Sequence, residues 1–245
     1  MTVEGVLPAA SVLFVASVIR SAVGFGEALV AVPLLALLMP VEVAAPVAVL
    51  ASITIALVTV LQDWRHIHLR SATWLVLSTL AGIPIGLWVL KTVPEGIVRA
   101  ILGAVIIAFG IYFLAGRRVS GLEHDRYSWL FGFTAGILGG AYGMNGPPLA
   151  VYGSLRGWSP RHFRATLQGY FLPASLIGMC GYGLAGLWTA TVNRFYLWSL
   201  PAVLIAVFLG RIINHRLKPQ RFLSVVHAGL IVIGAILLVQ AFQSR

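Results

Sequence analysis

Two charged residues lie within and beside the first hydrophobic stretch: Arg20 and Glu27. An ionised group at membrane depth is expensive, so such residues are usually paired or functional. Seven residues apart, they would share a face of a continuous helix, but Gly24-Phe25-Gly26 lies between them. Two chemistries fit: a salt bridge, or an Arg20 that attracts an anion while Glu27 takes up a proton. The second half has its own interruption, Gly143-Met144-Asn145-Gly146-Pro147-Pro148. Beyond it, Arg164 and Gln168 are spaced by four, so they point along one helical face and could line a vestibule. Their neighbours Arg161 and His162 read as residues that snorkel to the interface.

Glycine tolerates backbone angles that other residues avoid, and proline lacks the amide donor, so a helix must stop at each interruption. A helix that restarts after such a break, near Glu27 and near Pro147, presents free N–H groups and the positive end of its dipole, which together bind oxyanions. Two facing N-termini would need little help from positive side chains. The candidate substrate-binding set is therefore Arg20, Gly24, Phe25, Gly26, Glu27, Gly143, Met144, Asn145, Gly146, Pro147, Arg164 and Gln168. The competing account is that the glycines only let helices pack closely.

Enzyme chemistry finds little here. There is no HExxH, no pair of aspartates at membrane depth and no GxSxG serine, so no catalytic residues are expected. His66 and His68 with Asp63 lack a third ligand, and the single cysteine, Cys180, excludes a cysteine cluster; no metal and no cofactor are expected. A nucleotide-binding motif is missing too, which argues against direct ATP drive.

The elements that must position these residues are membrane helices. Of 245 residues, 59% are hydrophobic and 10% charged, whereas soluble domains carry roughly 25% charged residues. The net charge of +10 is scattered through short connections, which marks cytoplasmic loops rather than a nucleic-acid face.

Hydrophobic runs fall at 5–23, 28–39, 42–61, 71–90 and 96–115, and again at 128–140, 147–156, 160–186, 195–213 and 221–242. The order of short and long runs repeats across the one long polar linker. Gly24-Phe25-Gly26 with Pro33-Leu34 parallels Gly139 to Gly146 with Pro148-Leu149, and Trp74, Gly86 and Gly110 stand at one constant offset from Trp198, Gly210 and Gly234. The expectation is an all-α polytopic membrane protein, one transmembrane domain over 1–245. Repeat 1 covers 1–115, the linker 116–127 and repeat 2 128–245.

Hydropathy alone counts about eight transmembrane segments. If the first, broken segment of each repeat is re-entrant, each half crosses three times and the halves are inverted. The basic connections Arg65 to Arg70, Arg117 to Arg126, Arg156 to Arg164 and Arg211 to Arg221 then share one side. Crossing broken segments would put the last of these opposite the second. Inverted repeats with both termini outside follow.

The stretch Gly24-Phe25-Gly26-Glu27-Ala28-Leu29-Val30-Ala31-Val32-Pro33-Leu34-Leu35 resembles a signature of the TauE/SafE family of sulfite and organosulfonate exporters, also called the 4-toluene sulfonate uptake permease family. So does Gly146-Pro147-Pro148-Leu149-Ala150-Val151-Tyr152 with Arg156-Gly157-Trp158-Ser159-Pro160-Arg161-His162-Phe163-Arg164-Ala165-Thr166. Many members have a glycine run at the first break, where this chain has Glu27, and a glycine where it has Asn145. The resemblance implies a multi-pass carrier of the bacterial inner membrane that exports small sulfur oxyanions such as sulfite or sulfoacetate. The expected function is secondary transport by alternating access, with proton or ion coupling, a small oxyanion and the lipid bilayer as partners, and no nucleic acid. A passive anion channel of the same architecture, or a membrane enzyme or assembly factor, is the alternative.

Overall fold

Runs of Leu, Val, Ile and Ala punctuated by Gly and Pro fold into ten helices in the computed structural model, which describes residues 5–63, 69–115, 127–158, 160–214 and 219–243. The first half supplies α1 (Val6–Val23), α2 (Glu27–Ala36), α3 (Val41–Asp63), α4 (Leu69–Thr92) and α5 (Glu95–Leu114). The second supplies α6 (Ser128–Tyr142), α7 (Gly146–Leu155), α8 (Pro160–Leu184), α9 (Ala190–Asn214) and α10 (Pro219–Gln243). No strand occurs among the described residues. Every hydrophobic run read from the sequence corresponds to one helix, and each half runs in the same order.

Four helices, α3, α4, α5 and α9, are long and apolar enough among the described residues to cross a membrane. At 1.5 Å per residue, the 10-residue α2 and α7 reach only about 15 Å, half a hydrocarbon core. The outward faces are apolar: Leu57, Trp74, Trp88, Leu197, Trp198 and Phe208 are all exposed. Such a surface belongs in lipid. The protein is a polytopic helical membrane protein.

Inside, small residues bring backbones into contact, which is how helices associate where lipid removes the hydrophobic drive. The tightest seam joins α4 to α6. A Cβ on Gly82 would lie 2.2 Å from the Phe133 carbonyl oxygen, and one on Gly86 would lie 2.1 Å from that of Ile137. The α1–α9 seam is built likewise around Gly210, where a Cβ would meet the Ser21 side chain at 2.5 Å. Gly103 and Gly234 do the same for α5 and α10, each 2.8 Å from the other's carbonyl oxygen by this measure.

The pairing has a pattern. The first helix of each half packs on the fourth helix of the other, the third packs on the third and the fifth on the fifth. Gly86 and Gly210, at the constant sequence offset, sit at equivalent seams, each against the first helix of the opposite half.

Candidate functional site

The site begins with two helix ends. α1 stops at Gly24, whose φ of 98° is in the left-handed region, and its N–H donates to the Arg20 carbonyl at 2.6 Å. Gly26, at φ 97°, then caps α2. α6 stops at Gly143, at φ 66°, with its N–H on the Gly139 carbonyl at 2.8 Å, and α7 begins after Asn145. A residue with a Cβ resists such angles, so glycine at both stops makes the chain turn there.

These two breaks are the same length, which fixes their register. Gly24 matches Gly143, so Arg20 matches Gly139, Gly26 matches Asn145 and Glu27 matches Gly146. The prolines do not share this register. Pro33 lies well inside α2, whereas Pro147 and Pro148 sit in the first turn of α7, where their missing N–H groups cost nothing.

The tips of the breaks meet in a cavity bounded by Arg20, Phe25, Gly26 and Glu27 from the first, and by Gly143, Asn145, Gly146 and Pro147 from the second. Ala28 and Leu29 of α2, Ser52 of α3 and Phe171 of α8 complete the wall. The free space, about 20 Å³ measured to the centre of a water-sized sphere, holds one or two waters.

Arg20 is the cation at its centre. Its Nη1 donates to Glu27 Oε2 at 2.5 Å and to the Ser52 hydroxyl, and its guanidinium carbon lies 4.6 Å from the centroid of the Phe171 ring. That last distance is a cation–π contact. The ion pair is enclosed, with side-chain exposures of 8% for Arg20 and 1% for Glu27. Glu27 Oε1, equally buried, has no hydrogen-bond partner among the described residues.

The expected pair of facing N-termini is only half realised. α2 offers the N–H groups of Glu27, Ala28 and Leu29, which have no acceptor within the helix. α7 loses two of its equivalent donors to Pro147 and Pro148. In compensation the Asn145 side-chain amide faces the cavity region, lodged against Gly139, where a Cβ would lie 3.2 Å away. Asn145 in turn engages Tyr170, whose hydroxyl is 2.7 Å from Thr79 Oγ1. The Tyr182 hydroxyl donates to the Gly139 carbonyl at 3.0 Å, which pins the end of α6.

Eight of the twelve sequence-derived candidates therefore line one cavity. Gly24 shapes the turn from behind. Met144 does not line the cavity; an apolar side chain, it is fully buried in the main hydrophobic core. Arg164 and Gln168 fall on α8, with side chains outside the described residues, as do those of Arg161 and His162. His66 and His68 also lie outside them. Sequence reasoning missed Ser52 and Phe171. Ser52 could have been found as a hydroxyl inside the apolar run of α3; Phe171 carries no such signal.

A helical bundle clad in lipid-facing residues, with a buried cation where two helix breaks meet, defines a polytopic membrane protein built around an internal polar pocket. The chain belongs to the sulfite exporter TauE/SafE family, whose model matches residues 9–238. A relative in Cupriavidus necator, a probable sulfite/organosulfonate exporter TauE, is 26% identical over 211 residues, covering 82% of each chain. No solved structure matches. The chain is accordingly a membrane transporter of an anion-handling family and not an enzyme.

Proposed function

We propose that the protein is a secondary carrier that exports sulfite or a small organosulfonate across the bacterial inner membrane by alternating access. The observation that carries this reading is Arg20, a buried guanidinium held beside the open N–H groups of α2 at the meeting point of both breaks. Guanidinium and helix N-terminus are both suited to the pyramidal or tetrahedral oxygens of such anions.

Alternating access needs two units that can rock about a fixed site, and inverted repeats supply them in many carriers. The exchange pattern of the helix seams, first with fourth and third with third, supports two such repeats related by an approximate two-fold axis. The equal three-residue breaks support α2 and α7 as corresponding elements, each short enough to enter and leave the bilayer from one side.

Proteoliposome flux tests the proposal, with sulfite and sulfoacetate as substrates and acetate as the control. Saturable sulfur-oxyanion flux that an ion gradient can drive uphill is expected. Non-saturating flux that only runs downhill would replace the carrier with a channel, and no flux under any gradient would refute anion transport at this site.

A further inference from the structure

The Arg20–Glu27 pair poses a charge problem for any anion that enters its cavity. Arg20 is the cation in contact with Glu27, and its charge is already cancelled by that carboxylate at 2.5 Å. Adding an anion beside the intact pair would leave an uncompensated negative charge in an enclosed space, which proteins avoid. The Glu27 oxygen that does not touch Arg20, Oε1, is buried, unpartnered among the described residues, and belongs to a side chain lining the cavity. A carboxylate oxygen can only accept; what it lacks is a proton.

We infer that the anion binds together with one proton, which Glu27 Oε1 takes as Arg20 transfers its hydrogen bond from Glu27 Oε2 to an oxygen of the anion. The inference rests on the carrier reading above and adds a co-bound proton to it. Charge balances on both sides of the step: a cation paired with a carboxylate becomes the same cation paired with the anion, beside a neutral carboxyl. No covalent bond other than the O–H forms, and the proton comes from solvent. Phe171 keeps Arg20 in place while its partner changes, since the ring contact does not involve Glu27; the Ser52 hydroxyl touches both Arg20 and the Glu27 carboxyl and so bridges the pair.

No other ionisable group competes for this role among the described side chains packed on α2. On α3, Glu42 is exposed at the helix start. On α5, Glu95 and Arg99 pair with each other at 2.8 Å, and Tyr112 meets Phe113 edge to face. From the second break comes the neutral Asn145; Tyr152 of α7 packs between Phe131 and Trp158, and α10 presents no charged side chain within its described part.

The test counts protons. Methanesulfonate, which has no titratable proton near neutrality, is bound to the purified full-length protein by titration calorimetry in two buffers of different ionisation enthalpy. One proton taken up per anion is expected, with apparent affinity weakening about tenfold per pH unit through the coupled range. Glu27→Gln should bind the anion with no proton uptake and a flat pH profile, whereas Glu27→Asp should restore uptake. Wild-type binding without uptake, or undiminished uptake in Glu27→Gln, would overturn the inference while leaving the carrier intact. If sulfite binds and methanesulfonate does not, the same count is made with sulfite, and uptake that persists in Glu27→Gln shows that the proton rides on the anion instead. Failure of both anions to bind would overturn the carrier reading itself.

Discussion

Replacing Arg20 by methionine should cost stability in a way that depends on pH. The substitution removes the partner of a carboxylate that is 1% exposed, and such an uncompensated buried charge costs about 3–5 kcal/mol. The protein has an escape, because the carboxyl can take a proton and become neutral. An ordinary glutamate titrates near 4.3, so neutralising it at pH 7 spans about 2.7 units, or about 3.7 kcal/mol at 1.36 kcal/mol per unit. That figure caps the electrostatic part. Loss of the guanidinium over the Phe171 ring adds about 1–2 kcal/mol.

The total at pH 7 is then roughly 5–6 kcal/mol, falling to roughly 2–3 kcal/mol at pH 5, where neutralisation costs only about 1 kcal/mol. The sign follows from proton counting: in the variant the folded state holds a proton that the unfolded state has released, so its stability falls as pH rises. A double variant, Arg20→Met with Glu27→Gln, removes the charge and should recover most of the loss. Equilibrium unfolding in mixed micelles, run at both pH values on wild type, single and double variants, measures this. An Arg20→Met penalty equal at pH 5 and pH 7, or a double variant no better than the single, would refute the assignment of the pair as mutually dependent.

Gly86→Ala should destabilise by about 1–3 kcal/mol through overpacking, because its Cβ would sit 2.1 Å from the Ile137 carbonyl oxygen; Gly178→Ala, with nothing within 4 Å, should be neutral or gain up to about 1 kcal/mol. Micellar unfolding compares the two, and equal effects would mean that the α4–α6 seam is looser than described. Tyr182→Phe removes the hydroxyl that holds the end of α6 and should cost about 0.5–1.5 kcal/mol, read in the same assay. Asn145→Leu should keep the fold but abolish sulfite flux in proteoliposomes, since it replaces the one polar side chain that the second break brings to the cavity; flux at the wild-type rate would remove Asn145 from the site.

Much of this arrangement was legible because its physics is local. Long apolar runs must be helices in lipid, and Gly24, Gly26 and Gly143 stop them wherever a left-handed angle is required. The same glycines identified the cavity, since helix breaks at membrane depth need partners for their free backbone groups. What depends on tertiary placement was not legible. Phe171 reaches Arg20 from α8 across the bundle, and no periodicity distinguishes it from the other aromatics of that helix. Met144 belongs to the second break yet is buried in the core instead of lining the cavity, a placement that depends on the packing around the turn. The prolines misled the internal alignment: Pro33 and Pro147–Pro148 are similar residues serving different positions, and the cap glycines, which obey a backbone requirement, are the better markers.

That register also explains why a duplicated chain would have one site rather than two. At matched positions the first break carries Arg20 and Glu27 where the second carries Gly139 and Gly146. A second charged pair at Gly139 and Gly146 would bring two guanidiniums and two carboxylates into a space that holds one or two waters. The contacts oppose it sterically as well, for even a Cβ on Gly139 would press on the Asn145 side chain at 3.2 Å and require it to shift. The first half therefore contributes charge and open N–H groups, while the second contributes room and a neutral amide. Restoring symmetry tests this division: Gly139→Arg should abolish anion binding and lower stability, whereas Gly146→Ala, whose Cβ would meet nothing closer than 3.5 Å, should leave binding within about threefold, on the order of 0.6 kcal/mol. If Gly139→Arg folded and bound the anion more tightly, the halves would be interchangeable, and the asymmetric charge of the site would need another cause.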